Sequence, residues 1–167
     1  MNQLPLHNAL KSLEWLEGTW RTAEAPGEGQ LPTKSSFQYY EEIKFTSIGQ
    51  PMLNYEAQSW NAEGKNPLHR EVGVLKIVQG TNRVKLLLSH NFGLTTIEEG
   101  EVNHNHIQLE STSIERMTEG TRDPVVIKLQ RKFKGDGNHL EHTVYMATST
   151  NPQLTQHIHA RYVKLET

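Results

Sequence analysis

The chain has 167 residues, with 17 Lys and Arg against 19 Asp and Glu and a formal charge of -2. That length suits one domain with a substantial core or an enclosed cavity, so residues 1–167 are expected to form a single domain. The near-balanced charge, without a basic stripe, excludes nucleic acid as the principal partner. The absence of cysteine excludes disulfides, thiolate metal sites and cysteine nucleophiles.

The opening MNQLPLHNALKSLEW has no basic region followed by an apolar run, so no secretory leader is expected. No apolar stretch reaches bilayer-spanning length. The expectation is a soluble cytoplasmic protein with no membrane partner, nuclear residence being compatible. Leu6, Leu10, Leu13 and Leu16 recur at three- and four-residue spacing and predict a short helix stopping at Gly18. TAEAPGEGQLP then reads as a turn-rich loop.

From Phe37 the period changes to two. FQYYEEIKFTSI, MLNYEAQSW, LHREVGVLKIV, RVKLLLSH, GLTTIEEGEV, HIQLESTSI, VVIKLQRKFK, HLEHTVYMATS and HIHARYVKL follow as strand candidates. Their joints carry turn residues: Ile48-Gly49-Gln50-Pro51, Asn61-Ala62-Glu63-Gly64, Gln79-Gly80-Thr81-Asn82, Asn103-His104-Asn105 and Gly135-Asp136-Gly137-Asn138. Short strands with hairpin-length joints predict an all-β, antiparallel fold of about ten strands. An open sheet of that size would leave two long edges, so closure into a barrel with a ligand-sized, apolar lumen is expected.

Nine histidines are scattered along the chain. Two His-x-His pairs, His104/His106 and His157/His159, each put two imidazoles on one strand face, and with a carboxylate such as Glu141 either could hold zinc. NHNH also sits where a hairpin turn belongs. Arg161 and Tyr162 are adjacent and face opposite sides, so a carboxylate clamp of the lipid-carrier kind would need another pair, such as Arg131 with Tyr145. Glu41-Glu42 and Glu98-Glu99 likewise split between two faces. Ser89-His90 lacks the glycine-framed elbow of a serine hydrolase. An imidazole beside an apolar cavity also suits heme, and His157 with Leu68, Phe92, Met146 and Ile158 could wall such a site.

The stretches LEWLEGTW, LPTKSSFQYYEE, IGQPMLNY, NPLHREVG, FGLTTIEEGEV, RKF and TVYMATSTNPQLTQHIH follow one another between Leu13 and Lys164. In that order they resemble the nitrobindin family of heme-binding barrels, nearest the heme-binding domain that closes a THAP-type zinc-finger protein of animals. The resemblance implies a ten-stranded antiparallel barrel with a short helix, similar to lipocalins and fatty-acid-binding proteins, that binds heme b in the ferric state. It implies His157 as the axial iron ligand and Thr33 as a heme contact. His69, Leu68, His90 and Met146 would lie near the heme, His90 standing where the animal relative has glutamine. The implied activity is binding of nitric oxide and isomerisation of peroxynitrite to nitrate, with a homodimer compatible.

The family's Gly-x-Trp-x-Gly-x-Gly is kept here only through Gly18-Thr19-Trp20, with Thr22 and Glu24 at the later glycines, and Leu31 replaces the tyrosine before Pro32. Strict alternation raises a question about the implied ligand. If Ile158, Ala160 and Tyr162 face inward, His157 shares the outer face with His159 and Arg161, unless it lies at the start of its strand or beside a bulge after Pro152. Two other readings stand beside heme: a non-catalytic carrier of fatty acids or other apolar ligands, and a zinc protein built on the His-x-His pairs.

Overall fold

The computed structural model describes residues 4–63 and 66–166; Gly64, in one of the expected turns, lies outside them. A 3-10 helix runs from Asn8 to Leu16. Eleven strands follow: β1 Gly18–Arg21, β2 Gly27–Gln30, β3 Ser36–Gln50, β4 Met52–Asn61, β5 Pro67–Ile77, β6 Arg83–His90, β7 Leu94–Asn103, β8 His106–Arg116, β9 Val126–Asp136, β10 His139–Thr148 and β11 Thr155–Lys164. All nine strands expected from Phe37 onward form. The two short ones were not expected, and β2 lies inside the presumed loop. No helix among the described residues is long and apolar enough to cross a membrane.

Each strand from β3 to β11 pairs antiparallel with its sequence neighbour. β1 and β2 share the remaining slot: β1 pairs Gly18–Arg21 against Phe45–Glu42 of β3, and β2 pairs Gly27–Gln30 against Tyr39–Ser36. On their other edges both meet β11, at Trp20↔Lys164 and Ile158↔Gly29. The result is a closed ten-position barrel with one position split between two strands, its β8–β9 seam paired only from His106↔Lys134 to Glu110↔Gln130. β2 reads as loop because of its glycines, yet they are what lets it pack. A Cβ on Gly29 would sit 2.1 Å from the Phe37 ring, and one on Gly27 would sit 2.5 Å from the Tyr39 ring.

The helix explains why its leucines recur at threes. A 3-10 helix has three residues per turn, so Leu10, Leu13 and Leu16 fall on one line, and all three are fully buried. His7 caps its start by accepting from the Ala9 N–H, and the Trp20 indole donates to the Leu16 carbonyl at 2.8 Å. The Trp15 ring lies over Gly135, so the helix closes the end of the barrel that carries the β9–β10 turn.

Inward residues along β3 give the order of layers from that closed end: Phe45, Ile43, Glu41, Tyr39, Phe37. The closed third is apolar, with Trp20, Leu53, Leu75, Leu86, Ile107 and Phe133 buried together. The middle is not apolar. Glu41, Glu71, Glu98, Arg131 and His142 are all buried there, so the lumen is filled by charge rather than left as an apolar tube. Beyond this layer the opposite end gathers the start of β3, the β4–β5 and β6–β7 turns, and the start of β11.

Candidate functional site

Arg131 anchors the polar layer. Its Nε donates to Glu98 at 2.8 Å, Nη2 to Glu98 at 3.1 Å and to Glu71 at 3.0 Å, and Nη1 to Glu71 at 3.0 Å and to His142 Nε2 at 3.1 Å. All five guanidinium N–H donors are therefore taken. The Tyr55 hydroxyl donates to the second Glu71 oxygen at 3.0 Å. Tyr162 donates to Glu41, and His142 stacks flat on Phe133 at 4.5 Å.

Burial pushes the Glu71 carboxyl up, but the Arg131 guanidinium, helped by His69 and His90, outweighs it and holds Glu71 well below its ordinary 4.5. A carboxylate lowered on folding stabilises the fold above its unfolded pKa, and that stabilisation is lost as the pH falls through the folded value. The Glu71 contribution to the urea midpoint should therefore stay level from neutrality to about pH 4.5 and fall below it. In Glu71→Gln the part of that fall due to Glu71 should vanish, as a pH series of urea melts would show.

Two sequence-level candidates do not assemble. Arg131 points inward and is saturated, whereas Tyr145 lies under the Lys132 ammonium at 5.1 Å, so they form no carboxylate clamp. Arg131 pairs across from Val144, so the next residue, Tyr145, falls on the opposite face. The zinc pairs do not converge either. His104 sits in a left-handed turn position (φ 53°) at the helix-covered end, beside Asn105, Trp15 and Lys11. The His159 Nδ1 is engaged by the Thr143 hydroxyl at 2.9 Å.

His157 behaves differently from His159 because of a bulge. β10 pairs Val144 with Ile158 and Tyr145 with Gln156, so His157 is the extra residue on β11. A bulge breaks alternation and re-aims a side chain, which lets His157 and Ile158 both serve the inner side. The imidazole stands 6.1 Å from the Phe37 ring, itself on the inward face of β3. Its Nδ1–H donates to the Gln30 carbonyl at 2.7 Å. Nε2 has no partner among the described residues. Burial pushes the imidazole below its ordinary 6.5; the Gln30 carbonyl opposes that shift, and nearby His69 adds to it. The result is a neutral ring with a fixed tautomer and one free lone pair.

The His157 ring borders two cavities. One, of about 660 Å³, is walled by Gly29, Phe37, Ala62 and His157. The other, of about 510 Å³, is walled by Leu31, Pro32, Met146, Thr148 and His157. A neutral imidazole held through Nδ1 with Nε2 free is the donor a heme iron takes, and room on both sides of the ring with apolar patches suits a flat cofactor. The residues present fit the group.

The other sequence candidates gather at the same end. Met146 borders the second cavity, while Thr33 lies in the exposed turn between β2 and β3 with its hydroxyl 3.5 Å from that of Ser35. Leu68 is exposed at the start of β5, its carbonyl accepting from the Asn91 amide at 3.0 Å. His69 and His90 meet deeper, His90 Nδ1 lying 3.3 Å from His69 Nε2, with the Phe92 ring 4.9 Å from His69. Glu71 was missed, and Arg131 was matched with Tyr145 rather than with the carboxylates it binds. The i, i+2 spacing of His69 and Glu71 on a strand was the available signal.

Comparison with known proteins agrees with the geometry. A profile of THAP4-like, heme-binding β-barrel domains matches residues 9–164. The chain is 40% identical over 161 residues to the peroxynitrite isomerase THAP4 of Rattus norvegicus, covering 96% of this chain but 28% of that protein. It is 36% identical over 159 residues to the peroxynitrite isomerase of Nocardia farcinica, covering 93% of this chain and 90% of that one. The crystal structure of Rv2717c from M. tuberculosis superposes with a TM-score of 0.84 at 31% identity, covering 97% of this chain and all of that one. With its barrel, its bulge-borne histidine and a match along nearly its whole length, the chain belongs to the nitrobindin family of THAP4-like heme-binding β-barrel domains.

Proposed function

We propose that this chain, as a single domain, holds ferric heme b on His157, binds nitric oxide there, and isomerises peroxynitrite to nitrate. The observation that carries the reading is His157 itself: a neutral imidazole on a bulge, fixed through Nδ1 by the Gln30 carbonyl, with Nε2 free and the residue bordering two cavities. The relatives named peroxynitrite isomerase include one covered over 90% of its length, which supports the same activity for the barrel alone.

Held on His157, heme would supply the iron chemistry of small-ligand binding and of the peroxynitrite rearrangement. The chain's own part is positional. The Gln30 carbonyl sets the ring orientation of His157 and raises its basicity. Phe37, Ala62, Leu31, Pro32 and Met146 supply apolar wall on the two sides of the ring, which strengthens electrostatic contacts by excluding water. Thr33 from the β2–β3 turn and Leu68, His69 and His90 from the β5–β6 side complete the proposed contacts.

Hemin titration of the purified chain, followed at the Soret band, should saturate at one equivalent. The loaded protein should then convert peroxynitrite to nitrate faster than an equal concentration of free hemin. Decay no faster than with free hemin would overturn the enzymatic reading, and absence of saturation would overturn the heme reading.

A further inference from the structure

Beside the His157 cavity, the barrel wall carries a cluster whose two imidazoles the heme reading uses only as contacts and whose carboxylate it does not use. We propose that in the heme-free chain His69, Glu71 and His90 form a binding site for one divalent first-row transition ion, zinc being the natural occupant. Among the described residues these three are the group of His, Asp and Glu whose donor atoms converge.

The geometry points to a cation rather than to a shared hydrogen bond. His69 Nε2 lies 3.0 Å from Glu71 Oε1, His90 Nδ1 lies 3.3 Å from His69 Nε2, and His90 Nδ1 lies 3.3 Å from the same Glu71 oxygen. Three donors each about 2.0–2.1 Å from a tetrahedral zinc stand roughly 3.3 Å from one another. The observed triangle is already close to that size.

Proton counting leads to the same place. The Thr96 hydroxyl donates to Glu98, so its oxygen, 3.0 Å from His90 Nε2, accepts the proton on that nitrogen. That turns His90 Nδ1 toward the Glu71 oxygen and His69 Nε2, each 3.3 Å away. A divalent cation in their midst would serve all three contacts at once. The charge inventory favours one too, since Glu71 and Glu98 together face a single guanidinium.

Two of the three donors are also held from behind, as metal ligands usually are. Thr96 fixes the ring and tautomer of His90. Arg131 and Tyr55 fix Glu71, leaving the face of Oε1 toward the imidazoles. The Asn91 side chain bonds both the Arg70 N–H and the Leu68 carbonyl, which pins the β6–β7 turn and sets the Phe92 ring 5.5 Å from His90 and 4.9 Å from His69. His69 remains about one-third exposed, so an ion and a fourth ligand can reach the site. Two imidazoles and one carboxylate select zinc-like divalent ions over calcium or magnesium.

The test uses the intact chain without heme. Cobalt(II) should bind at one equivalent with the visible absorption of a four- or five-coordinate ion, and zinc should displace it. His90→Gln and His69→Gln, which leave the Arg131 carboxylates in place, should abolish the bands while leaving the thermal transition intact. Thr96→Val should weaken zinc about 10–100-fold, the usual effect of removing an orienting partner. His157→Ala should leave cobalt binding unchanged, which separates this site from the heme reading. No saturable band, or a band that survives His90→Gln or disappears in His157→Ala, would overturn the proposal.

Discussion

Arg131→Met is expected to destabilise the barrel by about 3–5 kcal/mol, the effect of breaking a buried ion pair by removing one partner. Against a total stability on the order of 5–15 kcal/mol, the variant should melt far below the native chain or accumulate as insoluble protein. The cause is specific. Arg131 is 1% exposed and its five N–H groups are the donors that two carboxylates and His142 are built around. Without it, the desolvation that already pushes Glu71 up is no longer outweighed, and protonation becomes the cheaper state for that carboxyl. The pH dependence should therefore invert. The native chain loses stability below about pH 4.5, whereas soluble Arg131→Met should gain stability as the pH is lowered from neutrality. Adding Glu71→Gln and Glu98→Gln to the variant should restore much of the loss, because the uncompensated charges go with them. Urea melts of the three proteins at two pH values decide the matter. A variant with the native slope, or one not rescued by the added glutamines, would show that Arg131 acts through packing alone.

The same layer shows where a sequence stops being legible. The strands from Phe37 onward follow from their period, and alternation assigns Glu41 inward and Glu42 outward correctly, with Glu42 meeting Arg21 on the outside and Glu41 receiving the Tyr162 hydroxyl within. What the period cannot say is which inward residues of distant strands meet across the lumen. Glu71, Glu98 and Arg131 belong to β5, β7 and β9 and converge only after closure. An inward glutamate flanked by apolar residues announces a partner without naming it. β2 illustrates another limit. Gly27 and Gly29 read locally as turn residues, and their strand role is dictated by the Phe37 and Tyr39 rings on the neighbouring strand. The helix was easier, since three leucines at intervals of three carry the 3-10 period on their face. His157 lay between these cases: its sequence neighbourhood resembles a family ligand, while alternation alone would send it outward with His159. The bulge opposite Val144 and Tyr145 resolves the conflict, and no residue in QLTQHIHARYV marks a bulge by itself.

That one-residue offset gives the second large expectation. His157→Ala should lower hemin affinity by about 100-fold or more, exceeding the 10–100-fold that follows when a ligand's orienting partner is lost. The Soret band of the variant should broaden toward that of free hemin. His159→Ala is the informative control, because the two residues are separated by one position and share a strand. His159 is tied to Thr143 on the other side of the β11 backbone, so its removal should leave hemin affinity within about twofold, in keeping with the small effects of substitutions away from a site. Deleting the imidazole of His157 also leaves a hole beside Phe37 and the Gln30 carbonyl. Added free imidazole can fill it, donate to that carbonyl and offer its second nitrogen, so it should sharpen the band in His157→Ala and do little in the native protein. If both alanine variants lose hemin alike, the bulge does not discriminate between the two histidines and the iron ligand must be sought elsewhere. If His157→Ala binds hemin as tightly as the native chain, the free Nε2 of His157 is not the bond that holds the cofactor.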